Sequence, residues 1–135
     1  MDAKHEALVA AARAAMERSH SPYSGFSVGA ALLGEDGRIY TGTNVENASF
    51  GLSMCAERTA VFKAVSEGCT AFAACAVATA TDAPTPPCGA CRQVLAEFGL
   101  DMVILLAGLD DTVEVHTLRD LLPRPFVTFS SGGDA

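Results

Sequence analysis

Segments with helical spacing alternate with segments of strand length along this chain, and that alternation is the strongest constraint on what it can fold into. Leu8, Ala11, Ala12, Ala15 and Met16 recur at three- and four-residue steps, which predicts an amphipathic helix over 2–18. The segment SHSPYSG at 19–25 breaks it. FSVGAALL and RIYTGTNV flank the turn GEDG at 34–37, so residues 26–45 read as a hairpin of two strands. Ser53 is the expected N-cap of a helix over 54–67, with Gly68 as its stop. AFAACAVATA at 71–80 reads as a strand; Pro84, Pro86 and Pro87 then remove backbone donors, and CGACRQVLAEF forms another helix up to Gly99. Residues 102–107 and 112–116 are further strands. Thr117 and Asp120 have capping-box spacing, with Asp in place of Glu, before a short helix ended by Pro123.

Strands interleaved with helices require crossover connections, which places helices on both faces of one sheet. The expected fold is therefore α/β, a three-layer α/β/α sandwich around a mixed five-stranded sheet. At 135 residues the whole chain, 1–135, is expected to be one domain. A chain of this length buries about 68–70% of the surface its unfolded form exposes, so no metal or disulfide is needed merely to fold it. A metal would be there for chemistry.

Nine Lys and Arg against sixteen Asp and Glu give a net charge of −7, the wrong sign for binding a nucleic acid polymer or an anionic membrane. No run approaches the roughly 18 apolar residues of a membrane span, and MVILLAGL at 102–109 has the length of a core strand. The first twenty residues mix both charges within a helical pattern and do not resemble a signal peptide, so the expected location is cytoplasmic. Hydrophobic residues make up 50% of the chain, an excess that self-association would hide. Five cysteines, an odd number, argue for free thiolates and against a disulfide framework.

Two motifs carry the chemistry. CAE at 55–57 and PCGAC at 87–91 each open a predicted helix, where unsatisfied N–H groups and the positive end of the helix dipole favour thiolate. Cys55, Cys88 and Cys91 converging from two helix starts would hold one zinc ion, with the fourth tetrahedral position left open to water. Glu57, in the same first turn as Cys55, can curl over the helix end toward that water and serve as a proton shuttle. Three thiolates leave the ion with a net charge of about −1, so a nearby cation must offset it. Arg58 and Arg92 are the candidates.

PYSGFSVGAAL at 22–32, TNVENASFGLSMCAERTAVFKAVSEG at 43–68, PPCGACRQVLAEFG at 86–99 and TLRDLLPRPF at 117–126 together resemble the small, homotetrameric zinc-dependent cytidine deaminases. The resemblance implies zinc on Cys55, Cys88 and Cys91, with Glu57 as the general acid and base that is not a ligand. It implies that Asn44 and Glu46 hydrogen-bond the ribose at its 3′-hydroxyl, that Phe26 packs on the pyrimidine, and that the backbone around Ala56 and Cys88 reads the base edge. Phe126 matches an aromatic that enters the site of a neighbouring subunit, and Arg58 the charge that compensates the thiolates. The implied reaction converts cytidine and 2′-deoxycytidine to uridine and deoxyuridine with release of ammonia, in pyrimidine salvage. Phe50 departs from the family pattern, which has Tyr there, and lacks its hydroxyl.

Two other readings stay open at the level of sequence. PCGAC alone also fits a thiol–disulfide redox site using Cys88 and Cys91. A structural-zinc binding module would recruit Cys69 or Cys75 as a fourth ligand, although both read better as buried small hydrophobes. His5, His20 and His116 lie outside the cysteine motifs and are expected at the surface or in caps.

Overall fold

The computed structural model describes residues 1–128. Helix α1 spans Ala3–Met16, strands β1 and β2 span Val28–Gly34 and Ile39–Thr43, and helix α2 spans Ala56–Ser66. Strand β3 (Phe72–Thr79), helix α3 (Gly89–Ala96), strands β4 (Val103–Ala107) and β5 (Val113–Thr117) and the short helix α4 (Leu118–Leu121) follow. The sheet order is β2-β1-β3-β4-β5. Among the described strands β3 and β4 pair in parallel and the other three pairs are antiparallel, which makes the sheet mixed. Among the described residues no helix is long and apolar enough to cross a membrane.

The central strands β1, β3 and β4 are buried on both faces, and their alternation sorts side chains between two helical layers. Leu8, Val9 and Ala12 of α1 pack on Ala31, Ala74, Ala76, Ala78 and Leu105. The opposite face, with Ala30, Leu32, Cys75, Val77, Ile104 and Leu106, packs on Ala60, Val61 and Ala64 of α2 and Leu95 of α3. This is the expected α/β/α sandwich. Burying each large aliphatic side chain in these layers contributes about 1.5–3 kcal/mol. Small residues let the helices approach closely: a Cβ on Gly42 of β2 would lie 2.5 Å from both the Ala56 carbonyl oxygen and the Ala60 nitrogen. The start of α2 is thus seated against β2.

Caps set where the helices begin. Asp2 accepts from the His5 N–H at 2.9 Å, and Thr117 accepts from the Asp120 N–H at 3.3 Å. At α2 the expected cap was Ser53, but the N-cap is Cys55. Ser53 instead accepts from the Asn47 N–H at 3.0 Å and closes the loop that contains a short 3₁₀ turn, Phe50–Leu52. Helix α3 is capped by Cys88, whose sulfur accepts from the Cys91 N–H at 3.4 Å, and it ends at Ala96, short of Gly99. Both cysteine motifs therefore sit at helix starts.

Candidate metal centre

Cys55 and Cys88 are the N-caps of α2 and α3, and Cys91 lies in the first turn of α3, so two helix N-termini aim at one point. The sulfurs of the three residues all lie within 4.8 Å of one another. Cys55 Sγ and Cys88 Sγ are 3.9 Å apart, and all five cysteines are free. A disulfide needs about 2.0 Å. Tetrahedral zinc, with Zn–S near 2.3 Å, sets its sulfurs about 3.8 Å apart, so these residues fit the ion. Among the described residues no further Cys, His, Asp or Glu joins the three. Cys69 and Cys75 are buried elsewhere, and Cys75 has its thiol pushed up by burial within β3. His116 pairs with Glu114 at 3.0 Å, and His5 lies 3.8 Å from Asp2.

The electrostatics favour sulfur as anion. Cys55 is held down to about 5, first by its hydrogen bond with Cys91 and then by Arg58, whose Nη2 donates to Cys55 Sγ at 3.3 Å. The same Cys55–Cys91 hydrogen bond raises the Cys91 thiol, so with only protons to share, Cys55 carries the charge. Arg58 is itself held more firmly protonated by Cys55. The other sequence candidate, Arg92, points away: its Nε donates to the Pro87 carbonyl at 2.8 Å and its Nη1 to the Leu121 carbonyl at 2.7 Å. Arg92 fastens α3 to α4, and Arg58 is the cation at the thiolates.

Beside the sulfurs opens a cavity of about 250 Å³ whose lining includes Cys55, Ala56, Glu57, Cys88, Phe26, Asn44 and Glu46. It lies at the end of the sheet where β2 and β3 finish, β1 starts and α2 and α3 begin. Residues that sequence reading did not assign to the site, among them Val28, Thr79, Thr85 and Pro86, complete the wall. Glu57 is only 4% exposed, and burial raises its carboxyl above the ordinary carboxylate range. Asn44 accepts from the Val28 N–H at 3.0 Å and from the Ser19 hydroxyl, and donates to the Phe26 carbonyl at 2.7 Å. Glu46 accepts from the Tyr23 and Ser24 N–H groups at 3.0 and 3.1 Å and from the Ser24 hydroxyl, which together hold its carboxyl below the ordinary range.

Phe126 does not line this cavity. It is 69% exposed, tied down through its carbonyl, which accepts from the Gln93 amide. Phe50 is also exposed and meets Tyr23 edge-on, with ring centroids 5.8 Å apart.

Residues 2–107 match the cytidine and deoxycytidylate deaminase zinc-binding region. A cytidine deaminase of Sporosarcina psychrophila is 51% identical over 122 residues, covering 90% of this chain and 90% of that protein. One from Halalkalibacterium halodurans is 50% identical over 120 residues, covering 88% and 91%. The crystal structure of cytidine deaminase from Burkholderia pseudomallei superposes with a TM-score of 0.87 at 50% identity, covering 90% of this chain and 98% of that one. The family match runs from α1 through β4 and takes in both cysteine-capped helices, the relatives and the superposed structure each cover about nine tenths of the chain at about half identity, and the chain belongs to the cytidine deaminase family of zinc-dependent enzymes.

Proposed function

We propose that the chain hydrolyses free cytidine and 2′-deoxycytidine to uridine and deoxyuridine with release of ammonia, as a step of pyrimidine salvage. The observation that carries this reading is a cluster of three sulfurs opening onto a nucleoside-sized cavity beside a buried carboxyl. Zinc held by Cys55, Cys88 and Cys91 would supply a Lewis acid that brings the pKa of water toward neutrality. Arg58 offsets the excess negative charge of the thiolates.

Glu57 carries the protons. Its carboxylate accepts one from water as the oxygen adds to C4 of the base and delivers it to N3. It then takes the remaining proton from the hydroxyl now on C4 and hands it to the exocyclic nitrogen, so that the C4–N4 bond breaks, the C4 carbonyl forms and ammonia leaves. A carboxyl raised by burial suits this alternation, because its proton affinity lies closer to that of the groups it serves. Phe26 stacks on the pyrimidine, the backbone at Ala56 and Cys88 reads the base edge, and Asn44 and Glu46 bind the 3′-hydroxyl.

Among the described residues no Lys or Arg lines the cavity, which argues against a nucleotide phosphate as part of the substrate. Phe126 is assigned to the cavity of a neighbouring subunit in a homotetramer, a role supported by its exposure on its own chain. Five free thiols suit the reducing cytoplasm. The test is a spectrophotometric assay of the zinc-loaded protein with cytidine, 2′-deoxycytidine, cytosine and CMP. Turnover of the two nucleosides, with little of the free base or the nucleotide, is expected; inactivity toward cytidine overturns the reading.

A further inference from the structure

The loop 19–27 runs alongside the segment 44–46, joined to it by backbone hydrogen bonds at His20 and by side chains. Within that seam Glu46 is nearly saturated. A carboxylate offers about four lone-pair sites over its two oxygens. Oε1 of Glu46 accepts the Tyr23 and Ser24 N–H groups at 3.0 and 3.1 Å, and Oε2 accepts the Ser24 hydroxyl. One site on Oε2 is left.

The Ser24 hydroxyl does a second job. Its oxygen accepts from the Phe26 N–H at 2.9 Å, across a turn that Gly25 makes with φ of 69°, a left-handed value that other residues adopt only under strain. One oxygen therefore connects Glu46 and the backbone of Phe26, two residues that line the cavity from separate segments. Ser24 does not itself line that cavity.

We propose that Ser24 is a positioning residue for sugar recognition: its hydroxyl fixes the rotation of the Glu46 carboxylate so that one Oε2 lone pair faces a sugar hydroxyl, and holds Phe26 in register with it. The inference rests on the reading that the chain is a nucleoside deaminase whose Glu46 binds the 3′-hydroxyl. Without the Ser24 hydroxyl, Glu46 keeps its two backbone donors on Oε1 but is free to turn Oε2 toward solvent. A site that demands a hydroxyl then becomes one that tolerates its absence.

The experiment compares deamination of cytidine and 3′-deoxycytidine by wild type, Ser24→Ala and Ser24→Thr, all zinc-loaded, with thermal unfolding as a check on folding. Wild type is expected to prefer cytidine. In Ser24→Ala that preference falls about tenfold, as expected for loss of a hydrogen bond to a charged group, chiefly through a higher KM for cytidine. The rate with 3′-deoxycytidine falls less, because loss of the bond to the Phe26 N–H touches both substrates alike whereas loss of the bond to Glu46 touches only the one with a 3′-hydroxyl, and Ser24→Thr restores the preference. A merely structural serine would slow both substrates equally. An active, folded Ser24→Ala that keeps the wild-type preference overturns the role of Ser24 and leaves the deaminase reading standing, as does a Ser24→Thr that behaves like Ser24→Ala. A wild type that deaminates neither nucleoside overturns the deaminase reading and this inference with it.

Discussion

The Arg58 guanidinium donates to the Cys55 sulfur at 3.3 Å from one turn further along α2, so the cation that steadies the thiolate is carried by the same helix that presents it. Arg58→Ala is expected to lower turnover about 10–100-fold, the usual cost of losing a partner of a metal ligand, with the fold retained. A second readout avoids activity altogether. In metal-free protein, Cys55 is held down to about 5 by Cys91 and then Arg58, so removing Arg58 raises it and slows alkylation by iodoacetamide at about pH 5, where the thiolate fraction is what changes. Alkylation at the wild-type rate would separate Arg58 from the thiolate.

Glu57→Gln keeps the shape of a side chain that is 4% exposed and removes only its ability to move a proton. Turnover of cytidine is expected to drop about 10²–10⁴-fold or more, while zinc content by elemental analysis and the unfolding temperature stay close to wild type. A variant with near-normal rates would remove Glu57 from the chemistry.

The cysteine cluster was legible because its logic is local: thiols at predicted helix starts, with a carboxyl in the same first turn. What stayed hidden depends on tertiary geometry. Arg58 and Arg92 are equally adjacent to a cysteine motif in sequence, yet only Arg58 reaches sulfur, because the Pro87 and Leu121 carbonyls capture Arg92. Ser53 looks like the better N-cap on propensity, but its hydroxyl is taken by Asn47 N–H, and Cys55 begins the helix instead. Thr79 and Thr85 reach the cavity wall through the end of β3 and the path of the proline-rich loop, neither of which a spacing rule sees. The contact from Ser24 to Glu46 joins residues 22 apart, each with an ordinary surface reading on its own.

Gly42 tests how tightly the metal-bearing helix is seated. An added Cβ would meet the Ala56 carbonyl oxygen and the Ala60 nitrogen at 2.5 Å, both helix backbone, so Gly42→Ala must push the start of α2 off the sheet. Overpacking of this kind costs about 1–3 kcal/mol, and here it also moves Cys55 and Glu57 relative to α3. Lower stability to denaturant and weaker zinc retention against a chelator are expected together. Gly51→Ala, whose added Cβ has nothing within 4 Å, is the control and should match wild type in both measurements.

Phe126→Ala addresses the assignment of this ring to a neighbouring subunit. The ring is 69% exposed and outside the cavity of its own chain, so truncation should leave monomer stability almost untouched. Sedimentation is expected to show a weakened assembly, and KM for cytidine should rise. A monomeric variant with full activity would confine the site to one chain.

Tyr40 and Asp36 give a pH signature at the β1–β2 turn, away from the metal. The Tyr40 hydroxyl donates to Asp36 at 2.6 Å, and that bond, with the burial of the ring, pushes Tyr40 up to about 12. An unfolded tyrosine titrates near pH 10. Because the folded value is the higher one, the stabilisation is complete below about pH 10 and is lost as pH rises through about 12, where the folded state too gives up the proton. Asp36 runs the other way: the Tyr40 hydroxyl and then the Arg38 N–H hold its carboxyl down, so its contribution is present above the ordinary Asp value and disappears as pH falls through the lowered one. Tyr40→Phe removes the bond and the Tyr40 dependence and weakens that of Asp36, which keeps the Arg38 N–H. The stability gap between wild type and Tyr40→Phe, measured by denaturant titration, should stay constant from about pH 6 to 9 and shrink between about pH 10 and 12. A gap that holds its size through that upper window would mean the Tyr40 proton is not engaged by Asp36.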